Sequence, residues 1–141
     1  MKLILSLLIF AACGFPNNTE AQIAIATHKS VMVSELNEQE LIDIFSLEES
    51  HWSNGGRIVP VELKGKSDIK SQFYALIGRS PNEIKRKRLR IVLAGDGDPP
   101  IPAKSAEEML AKISSTPGAI GYLPLHLASA DEVNVIHIIE N

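Results

Sequence analysis

The sequence predicts an α/β domain in which strands alternate with helices, a central sheet flanked by about four helices. Three observations predict it. Short apolar runs such as "QIAIAT" and "VNVIHII" read as strands. Four segments with helical spacing lie among them, each opened by a capping residue. A stretch with two glycines, "TPGAIGYLP", then turns a helix pattern back into a strand.

The chain has 141 residues, enough for one domain with an ordinary core. Its first 21 residues read as an export signal rather than as part of that domain. Lys2 is a minimal basic start, and Leu3 to Cys13 is an apolar run too short to span a bilayer. Gly14 and Pro16 break it, and Thr19-Glu20-Ala21 places small residues where a signal peptidase reads. Cleavage after Ala21 leaves a periplasmic chain from Gln22 to Asn141. A rival reading takes "AAC" as a lipobox, with cleavage before Cys13 and a lipid anchor on it.

Gln22 to Thr27 is the first strand, with Ile23, Ile25 and Thr27 on one face. "LNEQELIDIF" opens the first helix. Asn37 and Glu40 are spaced for a capping box, and Leu36 and Leu41 for a hydrophobic staple. Asn54 to Gly56 is a turn, and Arg57 to Leu63 a short strand. Pro60 has no N–H to donate, which predicts an edge or irregular strand. Ser67 caps a second helix whose stripe is Ile69, Phe73, Leu76 and Ile77, ended by Gly78. "SPNE" from Ser80 starts a third helix, with Pro at its first position. "SAEE" from Ser105 starts a fourth, with Met109, Leu110 and Ile113 on its apolar side. Val133 to Ile139 is the last strand.

Composition narrows the function classes. Loss of residues 1–21 removes Lys2 and Glu20, so the net charge stays at -3. That balance favours neither nucleic acid nor a strong membrane attraction, and no later segment is apolar enough to span a membrane. Cys13 is the only cysteine, which excludes a disulfide framework. His28, His51, His126 and His137 have no metal-ligand spacing, and no nucleophile elbow or phosphate-binding Walker loop occurs. "GDGD" from Gly95 reads as a polar turn before Pro99-Pro100. The expectation is a non-catalytic chain without a cofactor.

"KRKRLR", Lys85 to Arg90, reads either as a solvated helix face or as a docking tract. Arg88 falls on a line shared with Ile84 and Ile91, so its stem is expected over the core with the guanidinium reaching out. The most informative polar stretch is "ELKGKSDIKSQF", Glu62 to Phe73. It runs from a strand through Gly65 into a helix N-terminus. The first helical turn offers unpaired N–H groups and the positive end of the dipole, which together favour an anion. Lys64 and Lys66 add positive potential. The Ser67 hydroxyl can donate to an oxyanion, and Asp68 can accept a proton from hydrogen phosphate. The plainer alternative is that Ser67 is only a cap and Asp68 only complements the dipole.

Several stretches in order, "SELNEQELIDIF", "HWSNGGRIVPVEL", "SDIKSQFYALI", "AGDGDPP" and "TPGAIGYLP", resemble the phosphate-binding components of bacterial ABC transporters, in the type 2 periplasmic binding protein superfamily. The resemblance runs roughly from Ile23 to Pro124. It implies a fold in which one α/β lobe contributes to a ligand cleft, and a small oxyanion such as inorganic phosphate as ligand. It implies an oxyanion site of Lys66, Ser67 and Asp68, with Gly121 and Tyr122 as further ligand-binding candidates. Gly118 and Gly121 are first of all a fold signature: one supplies a turn, the other lets a neighbouring group approach. The chain departs from the family in three ways. Ser67-Asp68-Ile69 stands where a Ser-Gly-Thr run is usual, Arg88 stands where an aromatic residue is common, and the length suits one lobe. The last departure suggests an envelope partner or a second copy, and an alternative role as an interaction protein that has lost its ligand.

Overall fold

The computed structural model describes residues 22–128 and 131–139. The proposed leader, with Cys13 and the cleavage point after Ala21, lies outside the described residues. In chain order the elements are β1 (Ile23–Thr27), β2 (Glu35–Asn37), α1 (Glu38–Phe45), β3 (Val59–Leu63) and α2 (Asp68–Ile77). Then come α3 (Pro81–Leu93), β4 (Ile101–Ala103), α4 (Ala106–Ser115), β5 (Ala119–Pro124), a short 3₁₀ turn (Leu125–Leu127) and β6 (Asn134–Ile139).

All four helix starts carry the caps that the sequence predicts. Asn37 and Glu40 form a reciprocal capping box on α1. The hydroxyls of Ser67, Ser80 and Ser105 each accept the amide hydrogen three residues on, at Lys70, Glu83 and Glu108. Each cap satisfies one donor that a helix would otherwise leave unpaired. Gly78 ends α2 in the left-handed conformation, at φ 63°.

The six strands form one mixed sheet in the order β2-β6-β1-β5-β3-β4. β1 runs antiparallel to both its neighbours, β5 and β6. The remaining pairs are parallel. Helices cover both faces of its centre, as two adjacent residues show. The Cα of Gly121 faces Met109 and Ile113 of α4. The next side chain, Tyr122, stacks on Phe73 of α2 with ring centroids 4.3 Å apart. Successive residues of a strand point to opposite faces. α4 therefore lies on one face and α2 on the other, giving three layers. Phe45 joins the aromatic cluster, with its ring centroid 4.6 Å from that of Phe73.

The glycines answer to the sequence reading. Gly118 has φ +79°, and a Cβ there would lie 2.1 Å from the Arg57 carbonyl oxygen. Its own carbonyl accepts the Trp52 indole N–H at 3.0 Å. Gly121 sits under α4, where a Cβ would come within 2.7 Å of Ile113 Cδ1 and 2.9 Å of Met109 Sδ.

Two expectations need correction. β3 is not an edge strand, because β5 pairs with it on one side and β4 on the other. Pro60 is tolerated by position. The amides of Val59 and Lys64 point to β5 and β4 respectively, and alternation puts the Pro60 nitrogen on the β4 side. Pairing with β4 starts one residue later, at Val61. The α2 stripe also differs: Leu76 is exposed, and Tyr74 is buried beside Phe73 and Ile77.

Candidate functional site

A charged residue within a buried strand is costly unless it finds partners. Glu62 is such a residue, set between buried Val61 and Leu63 on β3. Its side chain is 12% exposed and that of Arg88, on α3, 13%. Arg88 Nη2 lies 2.5 Å from Glu62 Oε2, and Arg88 Nε donates to the Phe45 carbonyl at 2.5 Å. The Tyr74 hydroxyl donates to the same Oε2 at 2.7 Å. The Tyr122 hydroxyl donates to Oε1, and it accepts the Leu63 amide at 3.3 Å. Burial first, and then the Glu62 carboxylate, pushes both phenols far above the usual tyrosine range. The guanidinium of Arg88 thus turns inward, not out to solvent. The Glu62 carboxylate and the Phe45 carbonyl are the partners that accept its hydrogen bonds there.

Above this cluster a groove of about 650 Å³ opens between α2 and α3. Glu62, Tyr74 and Arg88 form its floor, and Lys66, Ser67 and Lys85 are among its walls. Lys70 also lines it, with Nζ donating to the Leu63 carbonyl at 3.0 Å. The groove lies in a segment of unusual charge. Residues 62–90 hold nine Lys or Arg and three Asp or Glu, whereas the other positions hold five and fourteen. A second cavity, about 470 Å³, has the opposite character and is lined by Glu35, Glu40, Asp43 and Glu49. Its carboxylates repel an oxyanion, so the α2–α3 groove is the better candidate anion site.

The structure separates the five residues singled out in the sequence into two sets. Lys66 and Ser67 line the groove together, and exposed Asp68 follows at the first position of α2. Gly121 is buried beneath α4, and Tyr122 lies in the core with only its hydroxyl reaching Glu62. The Ser67 hydroxyl already accepts the Lys70 amide. Among the described residues, the amides of Asp68 and Ile69 remain as the open donors of the turn.

Sequence reasoning missed Glu62, Lys70 and Tyr74. One signal was present for Glu62, an acid in the otherwise apolar strand "VPVEL". Among the described residues no group of His, Cys, Asp and Glu could hold a metal. No described helix is long and apolar enough to cross a membrane. The "GDGD" stretch is a polar loop in which Asp98 pairs with Arg57 at 2.9 Å.

No protein-family model and no curated protein sequence matches the chain. Solved structures do. One is a phosphate ABC transporter substrate-binding protein from Clostridium perfringens, so assigned and with phosphate bound. It has TM-score 0.68 and 19% identity over 82% of this chain and 44% of that one. An ABC-type phosphate transport receptor from Vibrio cholerae matches at TM-score 0.64 and 17% identity, over 82% and 45%. PstS from Borrelia burgdorferi matches at 0.62 and 20%, over 82% and 46%. The chain spans less than half the length of each. At such identities the likeness is one of fold: the chain has the α/β fold that these structures share with it over less than half of their own length.

Proposed function

We propose that this chain is an exported, non-catalytic lobe that binds inorganic phosphate or a similar small oxyanion in association with phosphate ABC transport. One observation carries the reading. Lys66 and Ser67 line a basic groove at the N-terminus of α2, within a fold shared with a protein that holds phosphate. The Asp68 and Ile69 amides and the helix dipole supply neutral and partial-charge donors, and Lys66 supplies a full charge. The Asp68 carboxylate accepts a hydrogen bond from the hydroxyl of hydrogen phosphate, a donor that sulfate lacks at neutral pH. In this reading Tyr122 supports the groove from the core, through its hydroxyl on Glu62, and Gly121 serves the packing of α4 on the other face of the sheet.

A groove open on one side leaves water in contact with the ion, so each hydrogen bond is worth less than in an enclosed cleft. Binding is therefore weak unless a second wall is supplied. The test is calorimetric titration of the secreted chain, its N-terminus first fixed by intact mass at Gln22, with phosphate and with sulfate. Heat for phosphate alone is the expected result. Its loss in the double variant Ser67→Ala, Asp68→Ala assigns the residues, and unchanged affinity there removes them.

A second reading, a lobe that docks onto an envelope partner or a second copy, is favoured by Leu89 and Leu93. They stand 55% and 76% exposed on α3, four residues apart and therefore on one face. Absence of heat for both ions, together with concentration-dependent sedimentation that Leu89→Ser with Leu93→Ser abolishes, would select self-association. Concentration-independent monomer in the wild type would exclude it.

A further inference from the structure

We propose that the floor of the α2–α3 groove is a carboxylate-binding cage whose occupant is the chain's own Glu62. The donors come from separate elements: Arg88 from α3, Tyr74 from α2 and Tyr122 from β5. α1 fixes the guanidinium through the Phe45 carbonyl, and β3 delivers the carboxylate. A guanidinium and two hydroxyls, held in place and almost out of water, are the donor set that recognises a free carboxylate. Here the anion is tethered, so it competes at an effective concentration that a dissolved ion does not reach.

The consequence is a division of the groove by depth. Oxyanions from solution meet an occupied floor and a carboxylate that repels them. They are left with the rim, where Lys66, Ser67 and Lys85 stand. Glu62 therefore acts as an internal ligand that keeps Arg88 from external anions. This goes beyond the phosphate reading and stands or falls separately from it.

Glu62→Ala tests the cage directly. The atoms it removes correspond to one acetate ion, and Arg88, Tyr74 and Tyr122 remain. The full chain is followed by thermal unfolding in sodium acetate, against sodium chloride at equal ionic strength. The variant is expected to be destabilised in chloride and recovered by acetate in a saturable way. At acetate ten times its Kd, the folding equilibrium shifts about elevenfold. Wild type is expected to respond no more to acetate than to chloride, and Arg88→Met added to Glu62→Ala should abolish the recovery. Glu62→Ser provides a second cage in case the alanine variant does not fold in chloride. Absence of acetate-selective recovery in both variants, folded or not, overturns the proposal. An equal acetate effect in wild type also overturns it, because the ion would then bind elsewhere. Neither result bears on phosphate binding by the wild type at Ser67.

Discussion

At the scale of single residues, the cluster around Glu62 makes an unusually clean prediction. The chain has two tyrosines, Tyr74 and Tyr122, and both donate to that carboxylate. Burial and the neighbouring negative charge raise both phenols in the folded state. An unfolded tyrosine ionises near pH 10. A folded value above the unfolded one means that the folded state holds its protons longer. The stability from these phenols is full below about pH 10 and is lost as pH rises from there through the folded values. Tyrosinate absorbance should then stay absent above about pH 10 until the chain unfolds, and appear together with loss of circular dichroism. A smooth ionisation midpoint near pH 10 in a chain that remains folded would contradict the cluster. Arg88 carries the same lesson from another side. Its spacing in the sequence located it correctly on the half-buried line of α3, but the direction of its guanidinium depended on Glu62, 26 residues away. Nothing local in the sequence encodes that contact.

Elements were more legible than their arrangement. The helix starts could be read because each rests on contacts within three or four residues: Asn37 with Glu40, Ser67 with Lys70, Ser80 with Glu83 and Ser105 with Glu108. β2 and β4 escaped notice. Each has three residues, and Glu35–Asn37 coincides with the capping signals of α1. The missing donor of Pro60 implies an edge only where a neighbour already runs alongside, and β4 begins to pair one residue later, at Val61, which the local sequence does not encode. The glycines of the β5 return were read correctly in kind, and the structure sharpens them into a ranked prediction. In Gly121→Ala the new methyl meets the ends of Ile113 and Met109, which can shift. Overpacking of this sort costs about 1–3 kcal/mol. In Gly118→Ala the methyl meets a backbone carbonyl at 2.1 Å, in a left-handed conformation that itself costs about 1–3 kcal/mol for a residue with a Cβ. Thermal unfolding should place Gly121→Ala below wild type and Gly118→Ala below both. The reverse order of the two variants would mean that α4, rather than the Arg57 loop, fixes the start of β5.

For the whole molecule, the distribution of charge says more than its sum. A net charge of -3 suggests a chain indifferent to anions. The division between residues 62–90, rich in Lys and Arg, and the acidic remainder says otherwise. Folding places Lys66, Lys70, Lys85 and Arg88 around one groove, whereas Glu35, Glu40, Asp43 and Glu49 line a different cavity. Charges within a screening length of about 10 Å at 0.1 M salt act together, and those on the far side of the molecule act little. The chain should therefore bind a cation-exchange resin at low salt and neutral pH despite its negative sum, and elute as salt rises. The triple reversal Lys66→Glu, Lys70→Glu, Lys85→Glu should flow through the column. It should leave retention on an anion exchanger intact, because the acidic face is untouched. Wild type that flows through the cation exchanger would mean that nearby carboxylates, Asp68 and Glu62 foremost, cancel the lysines at the groove. The oxyanion reading would then lose its electrostatic basis, and only the helix N-terminus at Ser67 would be left to attract an anion.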